Sequence, residues 1–477
     1  PVLATLAEAH PAASVCHNLG AVRLALGDVA GAIDAFRRAV RADPNMPEAL
    51  YNLGTLIRDA GHLDESERCL RRSVRLRPQY AGGWVSLGNL LRAQGVVGEA
   101  ADCFRRAMAL APDKSRPWEN LLLTLWHDPL ASAEQVREEH LRWARRFAEP
   151  LTPADPTFVN VPDPDRRLRV AYLSPRFREG AESFFLLPLL ESHDRGQFEV
   201  FGFAEIREGD ELTKRLRGLC DGWVQTAGLD DAQVADALRE RRIDIAVDLM
   251  VHGAENRLLA LARRPAPVQL TYLGYPGTTG MSAIDARISD PLIESGDAWA
   301  WCSERAALLD GCYWCYAPPE AAIDAGDPPA LTRGAATFGC LNRFEKATDS
   351  SLRLWAKVLA AVSGSRLLLH ADPGEHRRRV VDSMQREGVD PARVEFVGRQ
   401  PLAEHLLNYR RIDIALDPTP VAGATTTFHA LWMGVPVVSL YGASPLSRAG
   451  LSILTHAGLG EWAADTPERY IAIAAAL

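Results

Sequence analysis

The sequence predicts a multidomain fold: an N-terminal all-α repeat superhelix followed by an α/β region of two Rossmann-like halves. Two observations predict this fold. Residues 1–115 repeat themselves at a spacing of 34, as the turn glycines at positions 27, 61 and 95 show. From Leu168 onward, short apolar runs typical of buried strands alternate with helical stretches, and this series occurs twice. The length of 477 residues is too great for one hydrophobic core, which favours division into several domains.

The N-terminal repeats resemble the tetratricopeptide repeat, a helix pair of about 34 residues that ends near a proline. Such a pair cannot bury its apolar face alone, so we expect neighbouring units to stack into a right-handed superhelix. Asn18 and Asn52 hold equivalent first-helix positions, where Ser86 stands in the third unit. These side chains either face a groove that binds an extended peptide or are solvated helix-surface residues. The matched positions of the three units are Gly27, Gly61 and Gly95, then Phe36, Leu70 and Phe104, and finally Pro44, Pro78 and Pro112.

We expect five segments along the chain. They are the repeats (1–115), a helical transition (116–150), a linker rich in proline and aspartate (151–167), an N-terminal Rossmann-like half (168–334) and a C-terminal half (335–477). Asp163 and Asp165 form the D-x-D pattern of metal-dependent sugar transferases. In a proline-rich connector ahead of the first strand we expect them to be solvated and to bind no metal.

Composition argues against several classes of function. The net charge of −8 gives little support to nucleic-acid binding. No apolar run reaches the roughly 18 residues of a membrane span, and no signal peptide is expected, although Pro1 suggests an N-terminally trimmed chain. The eight cysteines are scattered, so reduced thiols and a cytoplasmic location are expected. Cys312 and Cys315 have C-x-x-C spacing without a second pair, which we interpret as incidental.

The most informative stretch lies between Asp417 and Val438. An apolar run, 412–416, predicts a buried strand, and the prolines and glycine that follow predict a loop. Thr425–Thr427 then precede a helix predicted over Phe428–Gly434. Free N–H groups and the helix dipole favour anions at such a start, and the hydroxyls complete a cradle for phosphate. The alternative is an ordinary helix cap without a ligand.

Ligands of doubly wound sheets bind beyond the carboxyl ends of the strands. Each polar residue selected by this rule has a structural alternative when taken singly. Together, cations and hydroxyls around one cleft suit a diphosphate. The rule selects Asp248, His252, the loop Gly274–Gly280, Asn342, Arg343, Lys346, His405 and Thr425–Thr427.

Three motifs make the chain similar to the tetratricopeptide-containing O-linked N-acetylglucosamine transferases, family 41 of the glycosyltransferases. They are ARRPAPVQLTYLGYPGTTG (262–280), FGCLNRFEK (338–346) and GATTT (423–427). The resemblance implies a GT-B fold of two Rossmann-like halves and an inverting transfer of N-acetylglucosamine from UDP-GlcNAc to Ser or Thr hydroxyls. It also implies that the repeats bind acceptor proteins or peptides, and that neither a metal nor another cofactor is required.

The resemblance further implies residue roles. Lys346 matches the lysine that contacts the diphosphate, and a cation there stabilises charge on the leaving group. Asp248 and His252 match polar residues near sugar and acceptor, so either assists deprotonation of the acceptor, or a donor phosphate oxygen takes the proton. The implied donor-binding set is Asn342, Lys346, His405, Gly423, Ala424, Thr425, Thr426, Thr427 and His429. The implied sugar and acceptor loop is Pro276, Gly277, Thr278 and Thr279.

Several positions depart from the family pattern. No histidine follows the first strand in residues 177–183, Ala424 precedes the threonine pair in place of a histidine, and His429 stands where an aspartate usually contacts the ribose. Arg343 and Leu402 replace a glutamine and a lysine. These departures leave two alternatives open: a related transferase with another donor, such as GDP-fucose or UDP-glucose, or a repeat scaffold with inactive catalytic halves.

Overall fold

The computed structural model describes residues 12–320 and 323–477, so the start of the predicted repeat segment, residues 1–11, lies outside the described residues. The described repeats are three antiparallel helix pairs. Their turns place Gly27, Gly61 and Gly95 at φ of 81°, 84° and 72°, a left-handed conformation that favours glycine. The helices are α1 (Ala13–Ala25), α2 (Val29–Ala42), α3 (Pro47–Asp59), α4 (Leu63–Leu76), α5 (Ala81–Ala93) and α6 (Val97–Leu110).

A second set of repeated glycines sets how closely the two helices of each pair approach. A Cβ on Gly20 would lie 2.7 Å from the Phe36 ring, and one on Gly88 would lie 2.7 Å from the Phe104 ring. Both rings are fully buried. Gly20 with Phe36, and Gly88 with Phe104, are therefore the two sides of the same contact in two units, and the predicted helical repeats are confirmed.

Two further helices lead from the repeats to the first sheet. They are α7 (Ser115–Leu125) and α8 (Ala133–Trp143), the latter continued by a π-helical turn over Ala144–Ala148. Residues 152–167 then form neither helix nor strand. Trp143 has no exposed surface and belongs to the same buried cluster as Ala171 and Leu173 of the first sheet, so the helical transition shares the core of the N-terminal half.

The first α/β half contains one seven-stranded sheet in the order β3-β2-β1-β4-β5-β6-β7, in which every pair of neighbours is parallel. Its strands are β1 (Leu168–Ser174), β2 (Phe198–Ala204), β3 (Gly222–Gln225), β4 (Ile245–Asp248), β5 (Val268–Thr271), β6 (Ala286–Ser289) and β7 (Ala306–Leu308). The helices between them are α9 (Ser183–Glu191), α10 (Glu211–Gly218), α11 (Asp231–Glu240) and α12 (Leu258–Leu261).

The second half repeats this architecture with six parallel strands in the order β10-β9-β8-β11-β12-β13. Its strands are β8 (Thr337–Cys340), β9 (Arg366–His370), β10 (Val394–Val397), β11 (Ile414–Leu416), β12 (Val437–Leu440) and β13 (Ala463–Ala464). Its helices are α13 (Ala330–Arg333), α14 (Asp349–Ala361), α15 (Arg377–Arg386), α16 (Leu402–Leu407), α17 (Thr425–Trp432), α18 (Ala449–His456) and α19 (Pro467–Ala476). The strand order reverses between β8 and β11, where doubly wound sheets bind ligands.

The predicted bounds of one helix were wrong. Helix α17 begins at Thr425, three residues before the predicted start, so the threonines form its first turn instead of preceding it. The helix ends at Trp432, and Gly434 follows at a φ of 71°. The hydroxyls nonetheless stand at a helix N-terminus, as the phosphate-cradle interpretation requires.

The repeats pack against the C-terminal half as well as the N-terminal one. Val421 and Leu446 of the second half belong to the same buried cluster as Leu87, Leu90 and Trp126 of the helical region. No helix of the described residues is long and apolar enough to cross a bilayer.

We expect Gly88→Ala to lower the free energy of unfolding by about 1–3 kcal/mol, because the new methyl group collides with the Phe104 ring. Gly98→Ala is the matched control, since a Cβ on exposed Gly98 in α6 meets no heavy atom within 4 Å. That change should instead stabilise by about 0.5–1 kcal/mol. Thermal unfolding of the full chain, followed by circular dichroism, measures both. Equal stability of the Gly88→Ala variant and the wild type would contradict this packing.

Candidate active site

The N-terminus of α17 has no side-chain cap. Ala424 occupies the cap position and makes no side-chain capping bond, so the first-turn N–H groups lack a capping side chain. The Thr425 hydroxyl donates to the carbonyl of Ala181 in the N-terminal half at 3.3 Å. The Thr426 hydroxyl donates to Asn342 Oδ1 at 2.8 Å. The threonine turn therefore touches both halves of the α/β region.

Gly423, directly ahead of this turn, has no room for a side chain. A Cβ there would fall 2.6 Å from Thr427 Oγ1, 2.7 Å from Asp417 Oδ1 and 2.8 Å from Thr426 Oγ1. Its own N–H donates to Asp417 Oδ1 at 2.8 Å. Glycine here lets the backbone turn tightly around the buried carboxylate and start the helix with its hydroxyls together.

Lys346 lies beside the same loop. Its ammonium donates to the carbonyl of Ala422 at 2.7 Å, two residues before Ala424. Burial lowers the pKa of Lys346, and the neighbouring Asp417 and Glu345 carboxylates oppose that effect. Within the described residues Ala422 supplies the one hydrogen bond that we find for this ammonium, which leaves two of its three hydrogens for a ligand. Lys346 and the threonine turn are therefore brought together, as the sequence predicts.

Sequence reasoning missed Asp417 as part of this site. The carboxylate is buried and also accepts the Ser439 hydroxyl at 2.7 Å. Burial raises the pKa of Asp417, while the Ser439 hydroxyl, the Gly423 N–H and Lys346 lower it. Its position directly after β11, at the carboxyl end of the sheet, was the available signal. Asp417 fixes the loop and partly balances the charge of Lys346.

A cluster of three histidines lies next to the cradle. The ring centroid of His405 is 6.3 Å from that of His370 and 6.3 Å from that of His429. Burial lowers the pKa of His405 and of His429 to about 4, so both rings are neutral at pH 7. His370 also went unnoticed in the sequence, although it ends β9 at the carboxyl edge of the sheet. The cluster offers neutral hydrogen-bonding groups in a largely apolar setting.

His429 is the member of this cluster most open to a ligand role. Its side chain is buried, and neither ring nitrogen has a hydrogen-bond partner within the described residues. The Phe184 ring of the N-terminal half packs edge-on against it at 4.8 Å. Beside it the Phe428 and Tyr316 rings stack on each other, with their centroids 4.6 Å apart. His429 therefore lies between aromatic rings of both halves, with two ring nitrogens that the described residues leave without a partner.

The structure places Asp248 and His252, the residues expected near sugar and acceptor, in the interior. The Asp248 carboxylate is buried and accepts the N–H groups of Met250 and Val251 and the Thr271 hydroxyl. Burial raises its pKa to about 6. These three bonds hold the turn that follows β4, so the carboxylate faces the protein interior and not a bound sugar acceptor.

His252 is likewise enclosed. It has no exposed surface, and its Nε2 lies 2.9 Å from the carbonyl of Thr279. Its ring packs against Trp143 at 4.5 Å and His140 at 5.1 Å, both on α8. Burial and the neighbouring His140 hold its pKa well below the usual range for histidine. The structure therefore supports a role in joining the helical transition to the N-terminal half, and not that of a base in contact with substrate.

The loop at 276–279 also turns its polar groups inward. Thr278 and Thr279 have no exposed surface, and both hydroxyls donate to the Glu304 carboxylate. The Thr279 N–H donates to the same carboxylate at 2.7 Å. Pro276 and Gly277 are buried as well. Both hydroxyls of the predicted sugar and acceptor loop are therefore bonded to Glu304 in this structure.

Possible metal ligands are few in the described part of the chain. Asp290, Cys312 and His456 place one ligand atom each within 4.8 Å of one another. The Asp290 carboxylate already accepts the Ser452 hydroxyl at 2.5 Å and three backbone N–H groups. That leaves it little capacity for a cation, and the cluster instead ties α18 to the N-terminal half. Cys315 lies apart and donates to the Phe185 carbonyl.

Comparison with known proteins places the chain in a family. The model of glycosyl transferase family 41 matches residues 156–316 and 318–477, and tetratricopeptide-repeat models match residues 23–84 and 84–117. A probable UDP-N-acetylglucosamine–peptide N-acetylglucosaminyltransferase SPINDLY of Arabidopsis thaliana is 35% identical over 364 residues, which is 74% of this chain and 39% of that protein. The rice protein of the same name is 34% identical over 75% of this chain and 39% of its own length.

One solved structure is similar along almost the whole chain. It is a lysine-to-methionine variant of the Thermobaculum terrenum O-GlcNAc transferase, 38% identical, with a TM-score of 0.90 over 97% of this chain and 89% of that one. This similarity confirms the predicted succession of repeats and two Rossmann-like halves. The chain spans about two fifths of the length of the plant relatives that it matches.

Buried histidines make stability depend on pH, with His140 as the clearest test. Burial lowers its pKa from 6.5 to about 4, which its bond to Val136 and the Glu304 charge only partly oppose. The unfolded chain therefore binds the extra proton between pH 6.5 and 4. Each such histidine costs about 1.4 kcal/mol of stability per pH unit as the pH falls through that window.

We therefore expect the melting temperature to fall from pH 7 to pH 5, and to fall less in His140→Phe. His62→Gln, on an exposed side chain, serves as the control and should keep the wild-type profile. Differential scanning calorimetry at both pH values measures this. Parallel profiles for His140→Phe and the wild type would count against the buried neutral histidine.

Proposed function

This chain belongs to glycosyltransferase family 41, and we propose on that premise that it transfers N-acetylglucosamine from UDP-GlcNAc to Ser or Thr hydroxyls of proteins. One observation carries the proposal: the Lys346 ammonium is bonded to Ala422 and the first turn of α17 begins at Thr425, so both flank the same short loop around Gly423. A cation, hydroxyls and a helix N-terminus converging there fit the diphosphate of a nucleotide sugar.

The proposed reaction needs stabilisation of negative charge on the departing diphosphate. Lys346 supplies a positive charge, and the first turn of α17 supplies N–H groups and the positive end of its dipole. Because these groups are fixed by Asn342, Asp417 and Ala422 before substrate binds, little reorganisation is required. The acceptor hydroxyl attacks the anomeric carbon from the opposite face, which inverts its configuration.

The acceptor proton goes to a donor phosphate oxygen in this proposal. A base must reach the proton that it takes. Asp248 and His252 are buried and bonded within the protein, which supports the phosphate among the routes considered. The proposed reaction then uses neither Asp248 nor His252 as its base.

The repeats are the proposed acceptor-binding part. Asn52 lines a cavity of about 210 Å³ together with Tyr51 and Tyr80, and its amide contacts His17 at 3.0 Å. Ser86, by contrast, is buried and accepts the Thr55 hydroxyl. The groove interpretation therefore suits Asn52 and the exposed Asn18 but not the third position. A cytoplasmic location belongs to the same proposal.

A second candidate function differs only in the donor. His429 and Ala424 stand where the family has an aspartate and a histidine, and His429 leaves both ring nitrogens without partners. A different nucleoside or sugar, as in GDP-fucose or UDP-glucose, is the alternative that these residues favour. Calorimetric titration with UDP, GDP, UDP-GlcNAc, UDP-glucose and GDP-fucose separates the two, since tighter binding of GDP-fucose or UDP-glucose than of UDP-GlcNAc would favour the second.

Lys346→Met should lower the turnover number at least about a hundredfold, as loss of a group that stabilises transition-state charge does. The KM for the acceptor should change by less than about twofold, because the ammonium does not contact the acceptor. Lys357→Met is the matched control, at an exposed lysine of α14. Release of UDP from UDP-GlcNAc with an acceptor protein measures all three enzymes.

Two results would contradict the proposal. Unchanged turnover in Lys346→Met would remove this lysine from the mechanism. A wild-type chain that binds UDP-GlcNAc but transfers nothing to any hydroxyl of a protein library would favour the scaffold alternative instead.

A further inference from the structure

The segment that carries Lys346 lies directly against the repeats. Residues Phe344–Lys346 form a single 3-10 turn after β8, and this turn packs on α5. Near the end of α5, Arg92 Nε lies 3.9 Å from Glu345 Oε2. The two side chains are only 19% and 22% exposed. The residue next to the donor-site lysine is thus paired with a residue of the repeat array.

Further contacts hold together the interface between the Phe344–Lys346 turn and α5, which we call the seam. Arg379 of α15 donates to the carbonyl of Gln94, in the turn after α5, at 2.6 Å, and also to Asp349 at 2.6 Å. A Cβ on Gly95 in the same turn would lie 3.2 Å from the carbonyl of Ala347. The backbone on the far side of Lys346 therefore rests on the repeat turn, with no space between them.

Without a partner of its own, the Glu345 carboxylate would compete with a donor diphosphate for the Lys346 ammonium. Asp417 and Glu345 both act electrostatically on Lys346, but Asp417 is occupied by Gly423 and Ser439. Within the described residues the Glu345 carboxylate has no hydrogen bond that we find, only ion pairs with Arg92 and Arg343. A half-buried carboxylate without a partner attracts a nearby ammonium strongly, because the surroundings screen it poorly.

Arg92 is the stronger of these two partners. Arg343 approaches Glu345 at 4.0 Å with a side chain that is 75% exposed, and exposed pairs contribute little. Arg92 is mostly buried, and its Nε is without a hydrogen-bond acceptor in the described part of the chain. Glu345 is therefore the ion-pair partner that we find for Arg92 in the described part of the chain.

We propose that Arg92 is a positioning residue of the donor site: by pairing with Glu345 it keeps that carboxylate away from Lys346, so that the ammonium remains directed at the donor diphosphate. The inference rests on the proposed function. It makes the repeat array part of the transferase chemistry, in addition to any part that it has in binding acceptors.

The preceding repeat supplies a matched control. Arg58 holds the same position one repeat unit of 34 residues earlier. It pairs with Asp59 of its own helix at 2.8 Å and makes no ion pair with the turn at 344–346. Arg58→Met therefore removes an arginine from the same place in a repeat without freeing Glu345.

The experiment is a double-mutant cycle on the full chain with UDP-GlcNAc and an acceptor protein. We expect Arg92→Met to lower the turnover number about tenfold, with the acceptor KM within about twofold of the wild type. Arg92→Lys should recover most of the turnover. Adding Glu345→Gln to Arg92→Met should restore turnover to within about threefold of Glu345→Gln alone, because no carboxylate is then left to draw Lys346 away.

Melting temperatures show whether each variant is folded, and the Arg58→Met enzyme should match the wild type within about twofold. Turnover of Arg92→Met within twofold of the wild type would overturn the inference. So would a failure of Glu345→Gln to restore it in variants whose melting temperatures match, because the inference assigns the lost turnover to the Glu345 charge. A wild-type chain that neither binds UDP nor transfers sugar would instead overturn the proposed function.

Discussion

The whole site depends on two hydrogen bonds that tie the loop after β8 to the loop after β11. Lys346 donates to Ala422, and Thr426 donates to Asn342. Neither bond exists unless both strands lie side by side with their carboxyl ends level, which the parallel pairing of β8 and β11 provides. Asp417 anchors the loop after β11 by accepting the N–H of Gly423. The result is an ammonium, hydroxyls and a helix start gathered before any ligand arrives.

This arrangement concentrates positive charge where a diphosphate would sit while keeping it balanced in the empty protein. Asp417 and Glu345 lie close to Lys346, and Arg92 and Arg343 lie close to Glu345. Such alternation lowers the cost of a half-buried ammonium, which burial alone disfavours. The neighbouring histidines contribute no charge at neutral pH because burial holds the pKa of His405 and His429 near 4. Lys346 therefore dominates the electrostatics of the cradle.

Much of this was available from the sequence, because the relevant signals are local. The spacing of Gly27, Gly61 and Gly95 reflects a backbone conformation, and the strand-end rule found Lys346 and Thr425–Thr427 from the strands that precede them. The burial of Asp248 and His252 depends on residues that are distant in the sequence. Whether a side chain after a strand faces a cleft or the interior depends on what packs over it, here α8 with Trp143.

The same limit explains what sequence reasoning left out. In the sequence Thr278 and Thr279 resemble residues with free hydroxyls. In the structure both hydroxyls donate to the Glu304 carboxylate, a contact that no periodicity of the sequence reveals. The pairing of Arg92 with Glu345 joins a repeat to a catalytic half, and each residue alone resembles an ordinary surface charge. His370 and Asp417 stand at strand ends, and only the structure shows which of their neighbours converge on them.

The most direct test of the central claim is a crystal structure of the chain with bound UDP. We expect the diphosphate within hydrogen-bond distance of Lys346 Nζ and of the first turn of α17 at Thr425–Thr427, with the nucleoside against His429. A diphosphate bound on another surface, with Lys346 still directed at Ala422 alone, would contradict the account.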